Sequence, residues 1–144
     1  MTHIETHIDI SAPPERVWAV LTDFAAFPEW NPFMRSIVGS PTEGARLNVR
    51  MEPPGGRGMT FKPTVTVARP ARELRWLGRL GLPRIFDGEH QLLIEPQAGG
   101  TTRFTQAETF RGILVPFLKG SLDKTRVGFE QMNAALKQRV EGAG

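Results

Sequence analysis

Residues 35–111 read as β structure throughout, and this stretch restricts the fold more than any other feature of the chain. Six segments carry the pattern, at 35–40, 45–53, 58–69, 72–80, 84–95 and 101–111. Turn chemistry separates them: PTEG at 41–44, PPGG at 53–56, Arg69-Pro70, GLP at 81–83 and QAGG at 97–100. Connections this short suit consecutive hairpins, hence an antiparallel meander. The C-terminal segment is different in kind. Leu118, Leu122, Thr125, Phe129, Met132, Leu136 and Val140 recur at spacings of three and four, which predicts one amphipathic helix over 118–140. A helix of about 23 residues is roughly 35 Å long, and a twelve-residue strand is about 40 Å long. The helix can therefore lie across one face of the sheet.

The first 33 residues complete the order. In residues 3–10, Ile4, Thr6, Ile8 and Ile10 share one parity, and His3, Glu5, His7 and Asp9 the other, as in a half-buried strand. Ser11 offers a helix N-cap with Glu15 as its capping-box partner. Pro13 and Pro14 fit only a first turn, and Val17, Trp18 and Leu21 share a face, so a short helix is expected at 13–22. The segment 23–33, DFAAFPEWNPF, places four aromatics and two prolines in one stretch. It reads as a second short helix near 24–27 followed by an ordered aromatic loop. The 144 residues contain no internal repeat or linker and form one α+β domain, 1–144.

The chemical inventory is small. The absence of cysteine excludes disulfides, thiolate metal sites and a Cys nucleophile. There are three histidines and no tyrosine. The high pI of 9.9 reflects 14 Arg against 4 Lys with no Tyr or Cys, while the net charge is only +3. It does not by itself indicate a nucleic-acid binder. The longest apolar run, 112–118, is broken by Pro116 and falls far short of the ~20 residues that span a bilayer. The N-terminus lacks the features of a signal peptide. Cytoplasmic residence, no integral membrane segment and no cofactor are the expectations.

Strand parity locates the polar residues that break an apolar face. Leu74 and Trp76 oppose Arg75 and Arg79. Phe86, Gly88, His90, Leu92 and Ile94 oppose Asp87, Glu89 and Gln91. Phe104, Gln106, Glu108 and Phe110 oppose Arg103, Thr105 and Arg111. His90, Gln106 and Glu108 are thus the exceptions. A hairpin around 97–100 puts His90 opposite Gln106 or Glu108, depending on register. A carboxylate on that face costs on the order of several kcal/mol unless it is paired or protonated. Three readings stand: a satisfied core network, a polar anchor in a ligand cavity, or acid–base catalysis by His90 and Glu108.

Other groups offer less. His3 and His7 lie about 13 Å apart along a strand, too far to share a metal ion, and face outward. His90 and Glu108 supply two ligands where a metal usually takes three or four, so no metal site is expected. Arg69, Arg72, Arg75, Arg79 and Arg84 form a basic stretch. It reads as a solvated sheet face or as a surface for an acidic partner, and it lacks the interleaved aromatics of a nucleic-acid platform. Gly55-Gly56-Arg57-Gly58 matches no phosphate-binding fingerprint.

Three blocks of residues carry a family likeness. They are Ile8-Asp9-Ile10-Ser11-Ala12-Pro13 with Val17-Trp18 and Leu21-Thr22-Asp23; Phe27-Pro28-Glu29-Trp30-Asn31-Pro32-Phe33; and Glu108-Thr109-Phe110-Arg111-Gly112 with Leu114-Val115-Pro116. With the long terminal helix, the whole chain resembles the START/Bet v 1-like (SRPBCC) superfamily, in its polyketide cyclase/dehydrase-like branch. The resemblance implies a helix-grip fold: a curved antiparallel seven-stranded sheet around the C-terminal helix, with two short helices between strands 1 and 2. It also implies a deep apolar cavity. Members bind lipids, sterols, polyketides and similar molecules, and some act as aromatases or cyclases. No catalytic signature is common to the branch, so no catalytic residue is carried over.

Family and parity together predict a domain that binds a small hydrophobic or aromatic molecule. The expected lining from the sheet is Met59, Phe61, Trp76, Phe86, Leu92, Phe104 and Phe110. Trp30 from the aromatic loop and Phe129 and Met132 from the helix complete it. His90, Gln106 and Glu108 would orient the polar end of the ligand, and Phe33 with the 23–33 segment would gate the entrance. One rival is a polyketide cyclase or dehydratase in which His90 and Glu108 move protons. Another is a co-chaperone-like or lipid-shuttle module using the arginine stretch. Ligand identity and the choice between monomer and homodimer stay open.

Overall fold

The structure, a computed structural model, describes residues 2–55, 57–79 and 84–142. The expected turn at 81–83, the end of the 72–80 strand and Gly56 of the 53–56 turn lie outside the described residues. The chain runs β1 (Thr2–Ile10), α1 (Pro14–Thr22), a 3₁₀ turn (Phe24–Ala26), α2 (Phe27–Trp30) and β2 (Met34–Val38). It continues through β3 (Asn48–Met51), β4 (Met59–Phe61), β5 (Thr64–Arg69), β6 (Glu73–Arg79), β7 (Asp87–Pro96) and β8 (Thr102–Arg111). After a 3₁₀ turn at Val115–Phe117 it ends in α3 (Lys119–Gly142).

The sheet is antiparallel and curved, in two hydrogen-bonded pieces ordered β1-β8-β7-β6-β5 and β2-β3-β4. Eight strands stand where seven were expected, because the 58–69 segment breaks at Lys62-Pro63 into β4 and β5. Proline has no N–H to give a ladder, which is why a continuous strand cannot run through it. The pieces meet at that break. Leu47 N–H donates to the Pro63 carbonyl at 2.8 Å, and Val65 N–H donates to the Ala45 carbonyl at 2.9 Å. A register shift between Val65 and Val67 in the β5–β6 ladder adds local bend.

α1 starts one residue later than expected, and the capping box at Ser11 is absent. Pro13 is the N-cap and no side chain caps the helix. With Pro13 and Pro14 at its start, two of the N–H groups a cap would satisfy do not exist. The Ser11 N–H instead donates to Glu141 Oε2 at 2.8 Å, tying the end of β1 to the end of α3.

One apolar core joins the helix to the sheet. Phe129, Met132, Leu136 and Val140 of α3 are fully buried, as are Ile10, Val17, Leu21, Leu74 and Phe104. Within this layer lies a linked set of polar contacts. The Thr6 hydroxyl donates to the Gln106 carbonyl at 3.1 Å. Asn133 Nδ2 donates to Thr6 Oγ1 at 2.9 Å, and Gln106 Nε2 donates to Asn133 Oδ1 at 2.9 Å. β1, β8 and α3 are thereby held in one register. Buried polar groups left without partners cost about 1–3 kcal/mol each. Asn133→Leu is therefore expected to lower stability by about 1–3 kcal/mol in urea unfolding. Adding Thr6→Val to that variant should cost less than it does alone, because the two residues share the network.

On the outer face of β6, Glu73 accepts from Arg75 Nε at 2.6 Å and from Arg69 Nη1 at 2.8 Å. The Arg75 bond first, and Arg69 after it, hold the Glu73 carboxyl below its ordinary value of 4.5 against the opposing effect of partial burial. A depressed folded-state value stabilises the fold above pH 4.5, and that stabilisation is lost as the pH falls through the lowered value. The stability gap between wild type and Arg75→Leu should therefore shrink on acidification below pH 4.5, as read by urea midpoints across a pH series.

Candidate functional site

A cavity of about 230 Å³ lies between the sheet and the N-terminal half of α3. Ser121, Leu122 and Thr125 of α3, with Leu118 just before its start, form the helical wall. Val49, Met51, Met59, Phe61, Trp76, Phe86 and Phe110 supply most of the sheet side, with Pro53 and Pro63 beside them. Phe33 closes the inner end. It is buried, and its ring lies so close to α3 that a Cβ on Gly128 would overlap it. Phe33 also meets Phe129 edge-on, with centroids 5.7 Å apart. The rim is made by Met59, Arg79 and Ser121, all exposed. Gly78 and Gly88 face each other across β6 and β7 and are part of the wall. At Gly88 the missing side chain leaves room for the Glu108 carboxyl.

Glu108 is the carboxylate in this apolar wall. Its Oε2 lies over Gly88, where a Cβ would collide with it. Its Oε1 meets His90 Nδ1 at 3.1 Å, and His90 Nε2 meets Gln106 Oε1 at 2.9 Å. His90 pairs directly with Glu108 across the hairpin, and Gln106 lies opposite Leu92. The imidazole is wholly buried, stacked on Trp76 at 5.1 Å and 14° and met edge-on by Phe129 at 5.1 Å. Its ring thus cannot swing away from the carboxyl. Glu108, by contrast, keeps 13% of its side chain accessible. Chemically the site offers an apolar wall, one carboxyl oxygen directed into it and an imidazole behind that carboxyl.

The residues expected from parity divide between this cavity and the core. Phe33, Met59, Phe61, Trp76, Phe86, Glu108 and Phe110 border the cavity. Leu92, Phe104, Phe129 and Met132 are packed into the core beyond it. Trp30 packs against Phe27 at 5.0 Å, away from the cavity. His90 and Gln106 stand behind the wall, so of the three polar exceptions only Glu108 borders the space. The reason is depth. Parity assigns a face but not a position along the helix, and α3 packs tightly from Phe129 onward. The entrance also differs from expectation, because Phe33 is buried whereas the rim residues are exposed. Unanticipated wall residues include Arg79, Gly78, Gly88 and Ser121. The glycines carried a signal, since both interrupt apolar faces with the smallest possible residue.

The arginine stretch is interleaved with acids. Arg69 and Arg75 pair with Glu73, Arg75 also meets Glu89 at 3.3 Å, and Arg79 meets Asp87 at 3.7 Å. Among the described residues no three His, Asp or Glu side chains are grouped to hold a metal ion, and no helix is long and apolar enough to cross a membrane.

Solved structures share the fold over the full chain. A protein from Mesorhizobium loti aligns at a TM-score of 0.79 with 19% identity, covering 99% of both chains. A START superfamily protein from Mycobacterium smegmatis aligns at 0.74 with 20% identity, again covering 99% of both. Norcoclaurine synthase from Thalictrum flavum, in complex with dopamine and hydroxybenzaldehyde, aligns at 0.75 with 14% identity, covering 99% of this chain and 88% of its own. No curated protein matches by sequence. The family described as polyketide cyclase / dehydrase and lipid transport matches residues 1–141, and the chain belongs to that family.

Proposed function

We propose that the protein binds a small hydrophobic or aromatic molecule in the cavity between the sheet and α3. The observation that carries this reading is an apolar void of about 230 Å³ with a single carboxyl group in its wall. Ligand sites combine apolar walls with a few polar groups that set orientation, over roughly 300–1,000 Å³. A volume just under that range favours a compact occupant over a long chain. Phe33, Met59, Phe61, Trp76, Phe86 and Phe110 would make the apolar contacts, and Glu108 the polar one. His90 and Gln106 would act through Glu108 rather than by touching the ligand.

A second reading is supported by the His90–Glu108 contact at 3.1 Å. In it the protein is a polyketide cyclase or dehydratase-type enzyme, and Glu108 takes and returns a substrate proton with His90 behind it. Turnover of a candidate substrate that disappears in folded Glu108→Gln and His90→Ala variants would favour this reading over binding alone.

The binding reading is tested by filling the space. Thr125 is half-buried on the helical wall. Thr125→Trp should weaken uptake of a fluorescent hydrophobic probe by at least about tenfold, a loss of roughly 1.4 kcal/mol, while leaving the circular dichroism spectrum unchanged. Equal probe binding by wild type and this variant would place the ligand elsewhere.

A further inference from the structure

We infer that Glu108 presents the cavity with a hydrogen-bond acceptor only, so that the occupant is an uncharged molecule carrying a hydroxyl or N–H donor rather than a carboxylate. This deepens the proposed binding function and rests on it. One fixed acceptor determines the direction of every hydrogen bond behind the wall.

That acceptor is the Gln106 backbone carbonyl, which cannot donate. The Thr6 hydroxyl 3.1 Å away therefore donates to it. Thr6 Oγ1, having used its proton, accepts from Asn133, so the Nδ2 of Asn133 faces Thr6 at 2.9 Å. The Oδ1 of Asn133 then faces Gln106 at 2.9 Å and must receive Nε2–H. Gln106 Nε2 also lies 3.5 Å from the Phe129 carbonyl, another pure acceptor, which gives the same amide orientation. The other end of that amide, Oε1, accepts from His90 Nε2 at 2.9 Å. His90 accordingly carries its proton on Nε2.

One contact remains, between His90 Nδ1 and Glu108 Oε1 at 3.1 Å. Without a proton there, two lone pairs would face each other in a buried site. The proton belongs to the pair, either on Nδ1 as imidazolium beside carboxylate or on Oε1 as neutral acid beside neutral imidazole. Both forms have zero net charge. In both, the oxygen over Gly88, Oε2, has lone pairs and no proton. Among the described residues it has no hydrogen-bond partner, and Glu108 borders the cavity. A hydroxyl or N–H group can donate to it. A carboxylate would bring a second set of lone pairs against it in an apolar space at a desolvation cost, and the one cation among the described lining residues, Arg79, stands at the exposed rim beside Asp87 at 3.7 Å.

The experiment uses three ligands with one two-ring frame: 2-methylnaphthalene, 2-naphthol and 2-naphthoate, titrated near neutral pH. The expected order is naphthol about tenfold tighter than methylnaphthalene, with naphthoate weakest. In Glu108→Leu the naphthol preference should vanish while methylnaphthalene still binds. If all three bind equally, or the preference survives Glu108→Leu, the donor rule is overturned and the cavity remains a binding site. If none binds, the binding function itself is overturned. An independent readout is the ¹⁵N spectrum of the His90 imidazole in the wild-type protein. A ring protonated at Nε2 is expected, and a neutral ring protonated only at Nδ1 would overturn the inference.

Discussion

The amide contact between Gln106 and Asn133, 2.9 Å long and buried between the helix and the sheet, is the point on which the rest of the molecule turns. It lies where α3 changes from packing on the sheet to standing away from it. On one side, Met132, Leu136 and Val140 fill the space completely. On the other, Leu118, Leu122 and Thr125 border a void. A long helix held only by apolar contacts could slide or rotate against the sheet at little cost, since such contacts have no direction. Directed hydrogen bonds to β8 and β1 fix its position.

The same contact reaches the chemistry of the cavity. Through Gln106 it orients His90, and through His90 it holds Glu108 over Gly88. The stacking of Trp76 on one face of the imidazole and the edge of Phe129 against it remove the freedom to break that arrangement. The core network and the carboxyl that borders the cavity are thus two parts of one system. His90 and Gln106 belong to the core, and Glu108 is the end of the chain of contacts that the cavity meets. Gly88 supplies the room that makes the meeting possible.

Much of the fold was legible because it depends on short-range patterns. Alternation assigned Leu74, Trp76, His90, Leu92, Phe104 and Phe110 to the inner face, and all six are buried there. Spacings of three and four located α3 to within a few residues of Lys119–Gly142. Pro63 inside the 58–69 segment marks the division of β4 from β5, but the alternation of Met59, Phe61, Val65 and Val67 around it masks the break. The site was less legible. Parity puts Met59, Phe61 and Phe110 on the same footing as Leu92 and Phe104, yet the first three border the cavity and the last two are packed in the core. Trp30 stands in an aromatic loop beside the expected lining, but its ring rests against Phe27.

From the sequence alone came the order of elements, the face on which each residue lies and the coincidence of His90, Gln106 and Glu108 on one apolar face. These depend on periods of two and 3.6 residues, which are local properties of the backbone. Only the tertiary structure decided where along the helix the layers separate and which of the polar residues reaches the void. It also set the direction of the proton-bearing bonds, because the network closes through Thr6 and Asn133, 127 residues apart in the chain. No local pattern records a contact between residues that far apart, and the chemistry of the Glu108 carboxyl depends on it.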